Sequence, residues 1–301
     1  MLNIGLVGCG NWGIKILNEI ERNKNFNLNS LACRNYSDKS IILKNKIKIY
    51  NNIENFFSQN SIDCAYIASI PEINLKAVKL AKKNKTPLIL EKPISNNYEN
   101  ARKIQIIANK SKIIILPNLT NYFSESFFYL KNYIDENFNE IKKITIYEGD
   151  NGPFRQNIHP IWDWGFHSFS TLNKIFENKK FSIIKKKEIK KNHFDNNGII
   201  SRFNFNVDSK FEVKLINGNL FKKKIRKVKI FLKNKNILES DMINHKIYLN
   251  KKKVFENDKS PIQSLLNSFH KVIEEKNTDF SQNLIKISCK TSKMLEKFYK
   301  C

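Results

Sequence analysis

The chain has 301 residues, 41% hydrophobic and 12% aromatic, which suits one large domain or two ordinary ones and excludes disorder. No apolar run reaches the roughly 18 to 20 residues of a membrane-spanning helix, so a helical membrane protein is excluded too. Lys plus Arg is 53 against 28 Asp plus Glu, a net charge of +25.

That charge is mostly compositional. Only six of the basic residues are arginines; 47 lysines stand beside 43 Asn and 43 Ile, all encodable by A and T alone, while glycine falls to 9. Phosphate recognition favours arginine forks, and the lysines are scattered over the whole length, so no specific nucleic-acid partner is expected. The clusters Lys185–Lys187, Lys222–Lys224 and Lys251–Lys253 read as solvated turns and strand edges, where lysine discourages edge pairing. The five cysteines, Cys9, Cys33, Cys64, Cys289 and Cys301, are odd in number and lack metal-ligand spacing. They read as reduced thiols of a cytoplasmic protein without a metal. The opening Met-Leu-Asn-Ile-Gly-Leu-Val-Gly reads as a strand start, not a leader.

In chain order, Leu2 to Val7 is an apolar strand, followed by Gly8-Cys9-Gly10-Asn11-Trp12-Gly13 and a helical stretch to about Asn23. Strands are expected at Leu28 to Cys33, Lys46 to Tyr50, Asp63 to Ala68, Pro87 to Leu90 and Ile113 to Leu116, with helices from Pro71 to Lys82 and Asn97 to Asn109. This strand–helix alternation predicts a parallel, doubly wound sheet. Beyond about residue 118 the rhythm changes. A helix near Ser124 to Glu136 and a strand near Ile141 to Glu148 precede several period-two strands between Phe181 and Phe255, and two helices close the chain, near Pro261 to Glu275 and Ser281 to Tyr299. The fold class is therefore α/β: a Rossmann domain over 1–118, then an α+β domain over 119–301 with a mostly antiparallel open sheet.

Three motifs carry chemistry. The G-x-G-x-x-G turn follows a strand and opens a helix, the context of a dinucleotide site. Gly8 makes the tight turn, Gly10 lets a pyrophosphate approach the backbone, and Gly13 allows close helix–strand packing. About twenty residues on, an acid favours NAD and an Arg favours NADP. Here Cys33-Arg34-Asn35-Tyr36-Ser37 carries no carboxylate before Asp38, which leans toward NADP, with NAD the alternative and a merely solvated Arg34 left open. Second, Glu91-Lys92-Pro93 follows the fifth strand, where a lysine projects toward bound nicotinamide and Pro93 suits a cis bond. Third, in Asp163-Trp164-Gly165-Phe166-His167 the Asp and His lie four apart, on one face of a helix's first turn. An imidazole suits proton exchange with a hydroxyl near neutral pH; the same spacing also suits a capping Asp and a packed His.

Together these motifs resemble the glucose-fructose oxidoreductase/inositol dehydrogenase/rhizopine catabolism (Gfo/Idh/MocA) family of NAD(P)-dependent oxidoreductases. The Gly-Asn-Trp-Gly turn, the run Asn151-Gly152-Pro153-Phe154-Arg155 and Trp162-Asp163 resemble its nucleotide-sugar branch, of the UDP-N-acetylglucosamine 3-dehydrogenase type. The resemblance implies a cofactor site of Gly8, Gly10, Asn11, Trp12, Gly13, Cys33, Arg34, Ser69, Asn74, Glu91 and Lys92. It implies a substrate site of Lys92, Arg155, Asp163 and His167, with His167 as acid/base beside Lys92 and Asp163 in catalysis. It also implies a homodimer or homotetramer built through the open sheet, with the C-terminal helix packing back on the first domain. The chain departs from the family at Ser69-Ile70-Pro71 and Asn74, where Thr-Pro-Pro and then a His are common, and at Cys33 in place of an acid. A free polyol or inositol-type dehydrogenase and a non-catalytic NAD(P)-binding regulator are the alternatives.

Overall fold

Short apolar runs buried on both faces make parallel strands, and the first third of the chain is built from them. The computed structural model describes residues 1–34, 47–58, 61–154, 159–193 and 196–299. Two compact units result, one of residues 1–120 with 260–293, the other of residues from 121 to 259 and from 294 onward.

In the first unit the elements run β1 (Leu2–Val7), α1 (Asn11–Glu21), β2 (Phe26–Ala32), β3 (Lys48–Tyr50), α2 (Ile53–Phe57), β4 (Cys64–Ile67), α3 (Pro71–Asn84), β5 (Leu88–Leu90), α4 (Tyr98–Ser111) and β6 (Ile115–Pro117). The six strands pair in the order β3-β2-β1-β4-β5-β6, all parallel. This is the doubly wound dinucleotide-binding order, with its switch point between β1 and β4. Pro71 opens α3 at the position where a missing N–H costs nothing. Asn97 caps α4 by accepting from the Asn100 amide. The five-residue α2 was not foreshadowed by periodicity; it forms because Asn52 accepts from the Asn55 amide at 2.7 Å and buries Phe56 and Phe57.

Two further helices belong here, α7 (Pro261–Glu274) and the part of α8 (Thr278–Tyr299) up to Lys293, numbered to leave α5 and α6 for the second unit. Phe269 stacks on Phe26 at 6.2 Å, and Gln263 donates to the Glu19 carbonyl at 2.6 Å. The Ser281 hydroxyl accepts from Ile115 N (2.8 Å) and donates to Ile115 O (2.9 Å), satisfying the outer edge of β6.

The second unit contains α5 (Glu125–Glu136), β7 (Ile141–Asn151), a π-helical turn (Ile161–Gly165), α6 (Phe166–Ile175), β8 (Phe181–His193), β9 (Asn196–Val207), β10 (Phe211–Gly218), β11 (Leu220–Leu232), β12 (Ile237–Asp241), β13 (Lys246–Leu249) and β14 (Lys252–Glu256). They form one sheet in the order β14-β13-β12-β11-β7-β10-β9-β8. Every neighbour is antiparallel except β7 with β10, which run parallel from Lys143↔Glu212 to Gly149↔Gly218. Alternation is strict: Phe203, Phe205, Val213, Leu215, Val228 and Ile230 are buried, while Arg202, Asn204, Lys214 and Lys229 stand half-buried on the other face. Of the lysine clusters expected at solvated turns and strand edges, Lys222–Lys224 lies exposed within β11, where the pairing with β7 shifts register between Leu220 and Ile225.

The inner face is closed by aromatics. Phe169 of α6 meets Phe203 at 5.1 Å, Phe205 at 6.0 Å and Phe298 at 5.5 Å. Phe169→Ala should therefore cost about 3–5 kcal/mol, the usual range for a deleted core Phe, read as a lower urea midpoint at unchanged slope. A loss under about 1 kcal/mol would mean that this cluster does not hold the sheet.

Candidate active site

β1 ends where the backbone is most crowded. Gly8 N donates to Ala32 O at 2.9 Å and Ala68 N donates to Val7 O at 2.8 Å, holding the turn between β2 and β4. Gly8 has φ +106°, and a β-carbon there would lie 2.2 Å from the Ala68 carbonyl oxygen. A β-carbon on Gly13 would lie 2.3 Å from the Gly8 oxygen, so α1 packs directly on the turn. Gly10 differs: it is exposed, and among the described residues nothing stands within 4 Å of where its β-carbon would be. It is also the N-cap of α1, with no side-chain cap and no acidic residue in the first turn. A bare helix start beside an open glycine suits an anion, and the pyrophosphate of NAD(P) fits this turn.

The neighbouring residues divide into surface and support. Asn11 and Trp12 are exposed, while Gly8 and Ser69 are half-buried. The Trp12 indole N–H donates to Glu91 Oε1 at 2.6 Å, and Lys15 stands over the ring at 5.8 Å. Glu91 is 7% exposed, and the same Oε1 accepts from the Tyr66 hydroxyl (2.6 Å) and from Asn118 Nδ2 (2.7 Å). Burial, and then the Glu91 charge, push the Tyr66 phenol well above its ordinary pKa, so it remains a donor. Expected at the cofactor surface, Glu91 thus points inward and ties the glycine turn to β4 and to the end of β6. Asn74 is likewise a support: fully buried, it donates to the carbonyls of Glu91, Pro93 and Ile94, each at 3.3 Å. Between them Lys92 is half-buried, and its peptide bond to Pro93 is cis. Tyr66 and Asn118 were invisible to sequence reasoning, because only strand pairing brings them to Glu91.

At the end of β2, Cys33 is buried and Arg34 exposed. The expectation of free thiols fails here: Cys33 is bonded to Cys9, with Cα atoms 5.8 Å apart. The in-register pair Val7↔Ala32 places the two residues side by side just past their strands, which sequence separation alone does not reveal. Cys64 and Cys289 are free and buried.

In the second unit, Asp163 lies in the π turn and His167 in the first turn of α6, so the expected α-helical turn is replaced by a π-to-α junction. A single π turn inserted at a helix start is a recurrent feature of functional sites. It forms where Gly165 allows Ile161 to close in: a β-carbon on Gly165 would come within 2.7 Å of Ile161 Cγ1. His167 is 8% exposed and Asp163 half-buried. Arg155, the other expected substrate residue, lies outside the described residues.

His159 anchors the start of this turn and was not singled out from the sequence. Its Nδ1 accepts from Ile161 N at 3.1 Å, and its Nε2 faces Glu188 Oε1 at 3.5 Å. That hydrogen bond from His159 holds the Glu188 carboxyl down to about 2, against the upward push of burial, with help from Lys186 and Ser201. The sign follows: stability from ionised Glu188 is present above its ordinary value of 4.5 and drains away as pH falls toward about 2. Glu188→Gln should thus lower the melting temperature at pH 6–7, and the gap from the unmodified protein should close on acidification through that window. A gap independent of pH would show that the charge of Glu188 plays no part.

No curated protein matches the sequence. Among solved structures, the chain is similar to a dehydrogenase from Clostridium difficile, at 17% identity over 99% of each chain with a TM-score of 0.82. It is similar to UDP-N-acetylglucosamine 3-dehydrogenase from Acidithiobacillus ferrooxidans, at 11% identity over 99% of this chain and 98% of that one, TM-score 0.76. It is also similar to a variant of a 3-ketoreductase from Actinomadura kijaniata in complex with TDP-benzene and NADP, at 9% identity over 98% and 96% of the two chains, TM-score 0.82. At these identities the likeness is one of fold. Residues 2–119 match the family model described as oxidoreductase family, NAD-binding Rossmann fold. The family match thus lies within the first unit, whose residues 2–119 carry the Rossmann pattern of the Gfo/Idh/MocA oxidoreductases.

Proposed function

We propose that this chain is an NAD(P)-dependent dehydrogenase or ketoreductase acting on a ring hydroxyl or ketone of a nucleotide-linked sugar. The observation that carries the reading is the open Gly10 at the bare start of α1, in a sheet of order 3-2-1-4-5-6. The nucleotide-sugar class is supported by the Gly-Asn-Trp-Gly and Trp162-Asp163 resemblance. It is supported also by two proteins of like fold, a UDP-N-acetylglucosamine 3-dehydrogenase and a 3-ketoreductase holding a TDP compound and NADP.

When bound, the nicotinamide supplies the hydride acceptor or donor. The chain's own residues do the rest. In the oxidative direction His167 takes the hydroxyl proton, and Asp163 orients the imidazole and stabilises it when protonated. Lys92 hydrogen-bonds the substrate oxygen and stabilises negative charge developing there. Arg34, exposed and with no acid beside it in Cys33, favours a 2′-phosphate and hence NADP.

A dinucleotide titration tests the cofactor half. Gly10→Ala meets no neighbour among the described residues, so its unfolding should change by no more than the roughly 1 kcal/mol that Ala costs at an N-cap, while NADPH affinity falls roughly ten- to a hundredfold from overpacking against the phosphates. In the same assay Arg34→Ala should weaken NADPH by a similar order, the worth of a charged hydrogen bond, and barely change NADH. Equal NADPH affinity in Gly10→Ala would remove the pyrophosphate from this turn.

Turnover tests the catalytic half. His167→Ala should lower the rate by about 10² to 10⁴ with dinucleotide affinity nearly intact. Asp163→Asn should cost less, and Lys92→Ala should damage both kcat and KM, because it touches the oxygen before and during reaction. Near-normal turnover in His167→Ala would overturn the mechanism but not the dinucleotide fold.

A further inference from the structure

Cys9 sits between the first two glycines of the phosphate turn, and Cys33 stands one residue beyond β2, where a dinucleotide fold places the partner of the adenosine ribose hydroxyl. Their Cα separation of 5.8 Å is the ordinary spacing of a disulfide, and the two sulfurs are bonded. The bridge therefore ties the phosphate turn to the position that meets the adenosine ribose. In it, the Cys33 sulfur is turned toward Cys9 and carries no hydrogen. As a free thiol, Cys33 offers a donor to the ribose 2′-oxygen, a hydroxyl in NAD and a phosphate ester in NADP.

We propose that Cys9 and Cys33 are a site of reversible oxidation at which the disulfide and the dinucleotide oppose each other. The proposal rests on the cofactor reading above. The oxidant is a low-molecular-weight disulfide such as oxidised glutathione. Cys9 is half-buried and Cys33 buried, so Cys9 is the sulfur that a solvent reagent reaches. The Cys9 thiolate attacks one glutathione sulfur, forming a mixed disulfide and expelling one glutathione thiolate. The Cys33 thiolate then attacks the Cys9 sulfur, forming the bridge and expelling the second. The protein loses two protons and two electrons, and one glutathione disulfide becomes two thiols. Linkage makes the effect reciprocal: whatever factor oxidation removes from dinucleotide affinity, bound dinucleotide removes from the tendency to oxidise.

The test uses the full chain carrying Cys301→Ser, which leaves Cys64 and Cys289, both buried, as the remaining cysteines outside the pair. The protein is equilibrated with reduced or oxidised glutathione and titrated with NADPH by nucleotide fluorescence. Tryptic mass spectrometry counts the Cys9–Cys33 linked peptide. The expected result is a linked peptide in the oxidised sample and NADPH binding about three- to tenfold weaker than in the reduced one, the worth of one ordinary hydrogen bond. Saturating NADPH should require a correspondingly more oxidising glutathione mixture to form the bridge. Cys9→Ser should bind NADPH equally in both mixtures. Equal affinity with the bridge present, or no linked peptide at any glutathione ratio, overturns the switch and leaves the cofactor reading standing. Failure of the reduced chain to bind NADPH or NADH at all brings down both.

Discussion

Two backbone segments in the first unit lie too close for any side chain between them, and the candidate cofactor site depends on that contact. Gly13 of α1 rests on the carbonyl of Gly8, which in turn is pressed on the carbonyl of Ala68 after β4. The contact fixes the angle at which α1 leaves the sheet, and so the direction in which its first N–H groups point. It also places Trp12, one residue before Gly13, within 2.6 Å of Glu91. A single methyl group at either glycine would lift the helix and disturb the turn, the indole and the Glu91 loop together. Packing at this density transmits a small steric change instead of absorbing it.

In each unit a carboxylate holds the backbone beside a catalytic candidate. A buried charge is tolerated only when its oxygens are well supplied with donors. Glu91 collects donors from α1, β4 and the end of β6, while Asn74 holds the carbonyls that follow it. Lys92 therefore springs from a loop fixed on both sides. In the second unit Glu188 faces His159, whose other nitrogen accepts from the first amide of the π turn that leads to Asp163 and His167. The proposed chemistry asks for precise placement of one ammonium and one imidazole. The surrounding polar groups are arranged to supply placement.

Much of this was legible in the sequence because it is local. The glycine turn announces itself by following an apolar strand and opening a helix, and continuous apolar runs such as Cys64–Ile67 identify strands covered on both faces. Glu91-Lys92-Pro93 and Asp163-x-Gly165-x-His167 stood out by residue type and spacing. What escaped depends on pairing between distant segments. Cys9 and Cys33 are 24 residues apart and meet only because β1 and β2 pair side by side up to Val7↔Ala32. Tyr66 and Asn118 reach Glu91 through the order of the strands, and β7 pairs parallel with β10 across more than sixty residues of chain with no local mark of it. The π turn escaped for another reason: an Asp and a His four apart look alike on a π turn and on an α-helix.

Glycine codons are rich in G, and a composition drawn toward Lys, Asn and Ile erodes glycine wherever another residue will serve. At seven of the nine surviving glycines an added β-carbon would come within 3 Å of a neighbouring atom, and an eighth, Gly152, has φ +92°. Those eight are retained by the fold itself. Gly10 is not held in either way: its φ is −70° and no described residue stands within 4 Å of where its β-carbon would be. Glycine suits the N-cap that it occupies, and its open side leaves the start of α1 clear for the anion proposed to bind there.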